Sequence, residues 1–489
     1  MSLKRNQKLD LHNDSFYEGT IKNGVPHGTG QIKTPYSLLK GKWKEGYIHG
    51  KGKMEVHLNH LFFIGGDFPL DEKSPFSTFY FFTKDWQIKS LPSCRMARSV
   101  GRLILNEHYF YYIGGFDGIR AVPYVERFDI LSGKWENICP LINRRASFSC
   151  FLYHSDIYVC GGVMGSITHN SIEKYDYKEN KWKIFGYLSF GRSSSSVHIW
   201  KDKLYILGGI NSKNIPIPLE IFDCQTKKSI IDKNIILQNF SSASILVEIN
   251  HKPYIFIAGG KKQMNDIIHD KVYSYSIEDN SLNEIASLNI GRIYNSLIVF
   301  HNELYCIGGH DQKMNYKLPY EKYNFIEDKW EIQTVFSLSM SGSSFLSVEN
   351  HNILLEGTWK YGKLNRKVKI HINEKKIEGT YKKGKKEGFF NDIYYQNNIP
   401  VSYRQVLWEN QVKKIRNIPE NFKCPISLDI MTDPVIIESG ITFDKKNIEE
   451  WFIHHNTCPL TRKIVDRKCI PNNICKKMIH DFIDKKLGN

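Results

Sequence analysis

The sequence predicts a mainly β chain that ends in a small α+β domain. Gly-Gly pairs occur six times, at intervals of 47 to 51 residues, and each follows an apolar stretch that predicts a strand. Shorter glycine-spaced units lie on both sides of this region. Apolar residues at helical spacing occur in the last part of the chain. Because 489 residues are too many for one core, we expect several domains.

The regions on either side of the Gly-Gly repeats contain short units whose glycines are spaced for β-hairpins. Gly19 and Gly41 hold the same position in two units, 22 residues apart, as do Gly357 and Gly379. The unit at Gly357 lacks the His-Gly-x-Gly tail of the first two. Paired glycines at this interval predict stacked hairpins, and the pattern resembles MORN repeats. We assign these MORN-like hairpins to residues 1–59 and 351–416, the second range including a linker.

The central region repeats with a period near 50. Each Gly-Gly pair is followed by an aromatic residue and, in four units, by a tryptophan seven residues later, as at Phe128 and Trp135. This signature resembles the kelch repeat, in which each unit forms one four-stranded blade of a β-propeller. The resemblance implies a six-bladed kelch β-propeller over residues 60–350.

The ends of this repeat region predict how the ring closes. The first unit has little room for an inner strand, and residues 341–348 have no later blade to join. We expect this late strand to complete the first blade, which removes exposed strand edges. Closure would bring residues near 58 and 352 together, so that the two MORN-like regions form one continuous sheet.

The C-terminal segment carries an ordered set of short motifs. Cys-Pro-Ile-Ser begins at Cys424, Asp-Pro-Val surrounds Pro434, and Cys-Pro-Leu-Thr-Arg begins at Cys458. This set resembles the U-box, a ubiquitin-ligase domain built like a RING finger but without zinc. The resemblance covers residues 417–489.

Local signals in this segment predict a hairpin and two helices. Residues 435–437 and 441–443 flank the Ser439-Gly440 turn and predict the hairpin. Asp444 is the predicted N-cap of a helix. Its apolar face consists of Ile448, Trp451 and Phe452. Asn473 is the predicted cap of a second helix, whose apolar positions are Ile474, Met478, Ile479, Phe482 and Ile483.

The cysteines of this segment argue against a metal site. A cross-braced zinc finger needs about eight Cys or His ligands in closely spaced pairs. The segment instead has four separated cysteines and no Cys-x-x-Cys, so we predict no metal and no cofactor. The U-box resemblance implies that polar links replace the zinc ions. The candidates for these links are Asp433, Ser439, Asp444, Glu449 and Asn472.

The U-box resemblance also implies which residues act in ubiquitin transfer. Ile426, Leu428 and Pro459 are expected to dock a ubiquitin-charged conjugating enzyme, with burial in the core as the alternative. Arg462 is expected to donate hydrogen bonds to both ubiquitin and the conjugating enzyme, with a surface arginine of no role as the alternative. Such a ligase acts by positioning, without a covalent intermediate. Cys424 and Cys458 lack an activating constellation, so we interpret them as small buried side chains.

An arginine recurs at one position of four kelch units. Two interpretations stay open: a substrate-binding site for an acidic or phosphorylated segment, or a structural hydrogen bond to a neighbouring blade. The four residues are Arg98, Arg145, Arg192 and Arg292.

The formal net charge of +16 is concentrated in the second MORN-like region. Residues 351–416 hold 15 Lys and Arg against 6 Asp and Glu. An anionic membrane surface is one candidate partner, and a solvated basic face is the alternative. Nucleic acid is not favoured, because no recognition module accompanies the charge. Scattered cysteines and the lack of a signal peptide or long apolar stretch predict a cytoplasmic protein, with a nuclear or peripheral membrane location as alternatives.

Taken together, these features predict a U-box ubiquitin ligase whose kelch propeller recruits the protein substrate. The alternatives are a non-catalytic scaffold and a membrane-associated kelch adaptor.

Overall fold

The computed structural model describes residues 4–11, 15–66, 75–213, 215–237, 240–262, 266–336, 338–390, 393–396, 399–401, 419–428, 430–431, 434–472, 474–475, 478–479 and 482. The chain divides into two compact units, Met1–Pro400 and Val401–Asn489. Strands dominate the first unit, which confirms the mainly β prediction. Among the described residues, no helix has both the length and the apolar character needed to cross a membrane.

The strands of the first unit are, in chain order, β1 (Lys4–Asp10), β2 (Phe16–Lys22), β3 (Val25–Lys33), β4 (Ser37–Lys44), β5 (Tyr47–Ile64), β6 (Phe79–Phe82), β7 (Ile88–Leu91), β8 (Arg102–Asn106), β9 (Tyr109–Ile113), β10 (Val125–Asp129), β11 (Lys134–Ile138), β12 (Ser149–Tyr153), β13 (Asp156–Cys160), β14 (Val163–Met164), β15 (Ile167–Thr168), β16 (Ser171–Asp176), β17 (Lys181–Tyr187), β18 (Ser196–Trp200), β19 (Lys203–Leu207), β20 (Leu219–Asp223), β21 (Ser229–Asp232), β22 (Ala243–Ile249), β23 (Lys252–Ala258), β24 (Val272–Ser276), β25 (Ser281–Ile285), β26 (Ile293–Phe300), β27 (Glu303–His310), β28 (Pro319–Asn324), β29 (Lys329–Val335), β30 (Ser344–Lys360), β31 (Lys363–Leu364), β32 (Arg366–Ile372), β33 (Lys375–Lys382), β34 (Lys385–Phe390), β35 (Ile393–Gln396) and β36 (Ile399–Val401). The second unit contains a 3-10 turn (Glu420–Phe422), β37 (Pro434–Ile436), β38 (Thr442–Asp444), the helix α1 (Lys445–His454) and β39 (Ile470–Pro471).

A row of glycines explains the sheet formed by the N-terminal hairpins. The glycines pair in register across neighbouring strands, in the order Gly19, Gly30, Gly41, Gly52 and Gly357. A Cβ at Gly30 would overlap the Tyr17 hydroxyl, so only glycine admits this ring. Trp43 packs edge-on against Tyr17 and donates from Nε1 to the Gly30 carbonyl oxygen at 3.0 Å. Each hairpin contributes two glycines to this row, which explains the 22-residue interval between equivalent glycines.

The long strands β5 and β30 join the two MORN-like regions to the first kelch unit. They pair antiparallel from Ile64–Ser344 to Gly50–Trp359, with one irregularity after Val348. At one end the pair continues through β6 and β7, and at the other it lies between β4 and β32. The late strand therefore completes the first four-stranded sheet, and the MORN-like regions form one continuous sheet, as predicted. The expected boundaries near residues 59 and 350 fall inside single strands.

Five further four-stranded sheets follow, formed by β8–β11, by β12, β13, β16 and β17, by β18–β21, by β22–β25 and by β26–β29. The first strand of each sheet contacts the first strand of the next, in the closed series β8, β12, β18, β22, β26, β30 and back to β8. We call this closed set the six-sheet ring. A closed series of inner strands is the arrangement that the propeller prediction requires.

Backbone hydrogen bonds link neighbouring sheets near the ring axis. The residues involved hold equivalent positions and all have positive φ: Val100, Ser147, Ser194, Ser241, Tyr294 and Gly342. The N–H groups of five of them donate to the equivalent carbonyl of an adjacent sheet at 2.8 to 3.3 Å, in the order Ser194 to Ser147 to Val100 to Gly342 to Tyr294 to Ser241. Positive φ is unfavourable for a β-branched residue such as Val100, so the sheet-to-sheet bonds stabilise a strained backbone.

Four sheets each contain a buried Arg–Glu ion pair. The pairs are Arg98–Glu126 (2.5 Å), Arg145–Glu173, Arg192–Glu220 (2.8 Å) and Arg292–Glu321 (2.5 Å). All eight side chains have essentially no exposed area. The backbone carbonyl of each arginine also accepts a hydrogen bond from the second glycine of the preceding Gly-Gly pair, as Arg192 does from Gly162 at 2.9 Å. Each arginine therefore ties its own strands together and joins two sheets.

This burial corrects the predicted substrate-binding role of Arg98, Arg145, Arg192 and Arg292. Their guanidinium groups face glutamates inside the sheets and present no surface to a partner. The predicted hydrogen bond to a neighbouring blade is made by the backbone carbonyls of these arginines, whereas their guanidinium groups bond within their own sheets. One of the other sheets has neither charge, because Met340 and Ser77 occupy the two positions. Joint loss is expected where a lone buried charge is costly.

The recurring tryptophans also join neighbouring sheets. Trp135, Trp182 and Trp330 each contact the predicted aromatic partner of their own unit, with ring centroids 5.0 to 5.4 Å apart. Their indole N–H groups donate to carbonyl oxygens of the preceding sheet, on Pro92, Cys139 and Ala286, at 2.6 to 3.1 Å. The repeat signature thus encodes contacts between units.

The second unit has one small core. The hairpin of β37 and β38 forms within a residue of its predicted bounds. Ile448 and Phe452 of α1 are buried, as expected. Asp444 precedes α1, but its side chain makes no capping hydrogen bond. The remaining core side chains are Phe422, Cys424, Ile430, Met431, Val435, Ile437, Phe443, Cys458, Val465 and Ile479.

The predicted apolar face of the last helix is only partly correct. Ile479 is buried and Phe482 contacts Phe422, with ring centroids 5.4 Å apart. Ile474 and Met478 are exposed instead. The predicted positions Asn473 and Ile483 lie outside the described residues.

The Arg–Glu pairs predict a non-additive effect on stability. Replacing Arg192→Met should lower the free energy of unfolding of the ring by about 3–5 kcal/mol, because Glu220 stays buried without its partner. The double variant Arg192→Met/Glu220→Leu should recover most of this loss. Urea unfolding measures both, and the exposed Arg120→Met is the matched control, expected within about 0.5 kcal/mol of the parent. A double variant as unstable as the single one would contradict the pairing.

Candidate functional site

Two loops of the second unit share one sequence pattern and one backbone conformation. Each begins with Cys-Pro followed by an aliphatic and a hydroxyl residue. Leu428 donates its N–H to the Cys424 carbonyl at 2.8 Å, and Arg462 donates to the Cys458 carbonyl at 2.9 Å. Leu428 and Arg462 both have positive φ, 61° and 56°. We call residues 424–428 the first cysteine loop and residues 458–462 the second.

The Cys424 thiol attaches the first cysteine loop to α1. Its buried Sγ accepts hydrogen bonds from the Asp444 N–H and the Asn447 side-chain amide, both at 3.3 Å. Asn447 also donates to the Ser427 hydroxyl at 3.0 Å. Burial raises the pKa of Cys424, but hydrogen bonds from Asn447 and from backbone N–H groups outweigh it and leave the pKa below its ordinary value.

The Cys458 thiol holds the second cysteine loop in the same way. Its buried Sγ accepts from the Ser439 hydroxyl at 3.4 Å and from the Thr461 N–H at 3.5 Å. Burial raises the pKa of Cys458, but the hydrogen bonds from Ser439, Thr461 and Leu460 outweigh it and lower the pKa to about 7. These thiols are therefore hydrogen-bond acceptors, a role that the interpretation as small buried side chains missed.

One face of α1 holds both loops. Asn447 contacts the first loop, and Trp451 donates from Nε1 to the Thr457 carbonyl, next to the second loop, at 2.7 Å. Residues four apart lie on the same side of a helix. The two cysteine loops therefore flank one helix face, although they are more than thirty residues apart in sequence. The sequence analysis assigned Trp451 to the core and did not identify Asn447.

The predicted docking residues lie at the surface of these loops. Ile426 is 37% exposed and Leu428 is 69% exposed, so neither is a core residue. Pro459 is half-buried, and Arg462 is exposed. Leu460 is exposed as well, although the sequence analysis did not single it out. The two loops together present apolar side chains and one guanidinium to solvent.

Asn472 is the best connected of the predicted polar links. Its side-chain amide donates to the Thr442 hydroxyl at 2.9 Å, and its Oδ1 accepts from the Cys475 N–H at 3.0 Å. Its own N–H donates to the Pro434 carbonyl at 2.8 Å. This one residue joins β38, β37 and the last helix.

The other predicted links differ in strength. Glu449 approaches Lys445 at 3.9 Å on the surface, while Asp433 lies outside the described residues. Glu438, which the sequence analysis missed, accepts from the Asp466 N–H at 2.6 Å. Within the part of the chain that the structure describes, no group of three or more His, Cys, Asp or Glu side chains is placed to hold a metal ion.

The six-sheet ring offers a second candidate surface. The loops after five of the Gly-Gly pairs join the second and third strands of their sheets, so they lie at the same end of the ring. Each carries an exposed apolar side chain among its described residues, four to seven residues after the pair. These side chains, which we call the loop tips, are Ile119, Ile167, Ile215, Ile267 and Met314. The recurrence was present in the sequence, but the variable offset hid it.

The charges beside the loop tips are mainly basic. Arg120, Lys213 and Lys313 are exposed in three of these loops. The carboxylates of Asp117 and Asp311 turn inward and accept backbone N–H groups of their own loops at 2.8 to 2.9 Å. The surface is thus apolar at its tips and positively charged between them.

The lowered pKa of Cys458 predicts a pH dependence. The folded thiol loses its proton near pH 7 and the unfolded thiol near its ordinary value of 9, so the unfolded state binds more protons between these limits. The second cysteine loop should therefore become more stable as pH rises from about 7 to 9, and lose this stability as pH falls through 7. Hydrogen exchange of residues 456–466 in the parent and Cys458→Ala checks this. Cys475→Ala is the control, since burial raises the pKa of that thiol. An equal effect of pH on all three proteins would contradict the assignment.

Family models match three parts of the chain. The U-box domain model matches residues 418–487, the Kelch motif model matches residues 144–188, and the MORN repeat model matches residues 17–35 and 40–55. The matched Kelch segment contains the pair Arg145–Glu173 and the joining tryptophan Trp182.

Curated relatives match the C-terminal segment. U-box domain-containing protein 20 of Arabidopsis thaliana is 47% identical over 73 residues, which are 14% of this chain and 17% of the relative. U-box domain-containing protein 1 of Medicago truncatula is 46% identical over 68 residues, 14% of this chain and 10% of the relative. E3 ubiquitin-protein ligase PUB22 of Arabidopsis thaliana is 43% identical over 68 residues, 13% of this chain and 16% of the relative. The chain thus spans less than a fifth of each of these relatives.

A solved structure described as the structure of YjhT covers 56% of this chain and 97% of its own, with a TM-score of 0.46 and 13% sequence identity. Because of the matches to the family models, residues 418–487 are identified as a U-box domain, and the chain joins it to Kelch and MORN repeats.

Proposed function

We propose that the chain is a ubiquitin ligase whose U-box domain docks a ubiquitin-charged conjugating enzyme. The observation that carries the proposal is the exposure of Ile426 and Leu428 on a loop that hydrogen bonds between Cys424 and Asn447 hold in place. Exposed apolar side chains on a small domain mark a partner site, and a preformed loop binds with less loss of entropy than a flexible one. The similarity to a protein named E3 ubiquitin-protein ligase supports the same role.

In this proposal the domain catalyses transfer by positioning. The conjugating enzyme packs on Ile426, Leu428 and Pro459, and the exposed guanidinium of Arg462 donates hydrogen bonds to carbonyls of both the enzyme and its ubiquitin. Holding the thioester against a substrate lysine can lower the barrier by several kcal/mol. Cys424 and Cys458 keep structural roles, because their sulfurs are buried and already accept hydrogen bonds.

Two substitutions test this role. Ile426→Ala should lower autoubiquitination of the full chain at least about tenfold, because it removes part of the docking surface, and Arg462→Ala should lower it similarly while leaving conjugating-enzyme binding nearly unchanged. The matched controls are Ile474→Ala, also an exposed aliphatic residue, and Arg467→Ala, also an exposed arginine. Gel assays and binding titrations measure these effects.

The outcomes separate the ligase from a scaffold. Activity lost in the two site variants and kept in the controls supports the ligase. A parent protein that binds conjugating enzymes but never transfers ubiquitin, with any of them, would favour the non-catalytic scaffold.

We further propose that the six-sheet ring recruits the protein substrate through the loop tips. The former candidates, the four arginines, are buried, while the loop tips are exposed at one end of the ring. Apolar side chains between Arg120, Lys213 and Lys313 fit an apolar surface with acidic neighbours on the partner.

Charged substitutions at the loop tips should separate recruitment from chemistry. Ile119→Asp combined with Ile267→Asp should reduce capture of cellular proteins by the full chain at least about fivefold, since both side chains would be buried in a complex. Autoubiquitination should stay unchanged. Ile326→Asp, an exposed isoleucine in a different turn of the ring, is the control. Equal capture by all variants, measured by quantitative mass spectrometry, would contradict the proposal.

A membrane-associated adaptor is the second candidate, and one observation favours it. Lys42, Lys51 and Lys367 lie on β4, β5 and β32 of the MORN-like sheet, and each is paired in register with a threonine of a neighbouring strand, through the pairs Thr29–Lys42, Lys51–Thr358 and Lys367–Thr380. Each well-placed basic side chain contributes about 1 kcal/mol toward an anionic membrane. Co-sedimentation with anionic vesicles at two salt concentrations distinguishes this function from the ligase.

A further inference from the structure

The axis of the six-sheet ring contains a polar cavity that no function above uses. Its volume is about 270 Å³, well above the space that one water molecule needs. Serines on, or directly before, the inner strands of five of the sheets line it, and so do Asn295, His198 and Arg102. No acidic side chain lines it, among the residues that the structure describes.

Arg102 differs from the other arginines of the ring interior. Arg98, Arg145, Arg192 and Arg292 each have a glutamate partner. Within the described ranges, Arg102 has no ion pair, and its one hydrogen bond to protein runs from Nη1 to the adjacent Gly101 carbonyl at 3.3 Å.

The surroundings of Arg102 disfavour a charged guanidinium group that has no counter-ion. Burial lowers the pKa of Arg102, and the neighbouring Cys150 and Tyr112 offset this only in part. The pKa of Cys150 is itself raised to about 12, so this thiol is neutral and supplies no counter-charge. A guanidinium placed in a partly desolvated cavity without a counter-ion is unfavourable unless an anion joins it.

The rest of the lining suits an oxyanion. The hydroxyls of Ser149, Ser195 and Ser242 can rotate to donate hydrogen bonds. His198 contacts the Ser244 hydroxyl at 2.9 Å, and burial lowers its pKa to about 4, so it brings no second positive charge at neutral pH. The cavity therefore combines one fixed charge with several neutral donors.

Asn295 also lines the cavity, and its side-chain amide is held by protein contacts. Its Nδ2 donates to the Ala258 carbonyl at 3.3 Å and to Cys306 Sγ at 3.2 Å. A phosphate group has more acceptor oxygens than a carboxylate group, so it can accept hydrogen bonds from Arg102 and from several serine hydroxyls at once. The number of donors in the lining therefore favours phosphate over a carboxylate.

We propose that the axial cavity of the ring binds a phosphate group, with Arg102 as its counter-ion and the surrounding serine hydroxyls as donors. Guanidinium groups bind phosphate oxygens through two parallel hydrogen bonds, which a lysine cannot reproduce. The group can belong to inorganic phosphate or to a small phosphate monoester, and the proposal does not depend on the ligase activity.

Calorimetric titration of the full chain tests the proposal, with inorganic phosphate, phosphoserine and acetate as probes at constant ionic strength. Saturable binding of phosphate at millimolar concentration or below is expected, with acetate weaker by about tenfold or more. Arg102→Met should weaken phosphate binding at least about tenfold, and Arg102→Lys should weaken it to a lesser extent. Arg120→Met, an exposed arginine, should bind phosphate as the parent does.

Thermal unfolding gives a second readout that does not require a fully active protein. Phosphate should raise the unfolding temperature of the parent and of Arg120→Met, but not that of Arg102→Met, because only a bound ligand stabilises the folded state. Tighter binding of phosphoserine than of phosphate would identify a monoester as the ligand, and weaker binding would identify the free ion. Absence of saturable binding by the parent, or equal binding by Arg102→Met, would overturn the proposal.

Discussion

The pairing of β5 with β30 is the contact on which the first unit depends. It joins segments nearly 300 residues apart, closes the ring of inner strands and continues directly into the MORN-like sheet. A strand has no exposed edge when it pairs with a neighbouring strand on each side. β5 and β30 provide such neighbours both in the first sheet of the ring and in the MORN-like sheet. The Kelch and MORN regions are therefore mechanically one body, and no flexible linker separates them.

Periodic features of the sequence predicted most of this fold. Glycine intervals located the hairpins, and the Gly-Gly and tryptophan positions located the sheets, because these residues serve backbone geometry that every repeat shares. The role of Arg145 and its equivalents could not be read from recurrence alone, since a repeated residue can serve either the fold or the binding of a partner. The glutamate 28 residues after Arg98, Arg145 and Arg192 was the missing signal, and it becomes meaningful only when strand register places it opposite the guanidinium.

In the U-box domain, a different kind of feature could not be predicted from the sequence. Short motifs predicted the exposed positions of Ile426 and Arg462, but not the manner in which the two loops are held. Two thiols accept hydrogen bonds, and Asn447 and Trp451 connect both loops to one helix. No spacing of residues in a sequence predicts that a cysteine sulfur accepts hydrogen bonds, so this role becomes visible only in the structure. The arrangement gives a small domain a rigid surface from a core of modest size.

The separation of β5 and β30 also affects how the protein is made. One edge of β5 has no partner until about 280 further residues have been synthesised and β30 leaves the ribosome. This takes roughly 15–60 s at ordinary translation rates. Throughout that interval an apolar strand is open to pairing with other nascent chains. The U-box is translated after β30, so the chain gains its C-terminal domain only after the strand that closes the ring has been synthesised. A ribosome that stops early would release an open and aggregation-prone sheet, but one without the U-box domain attached.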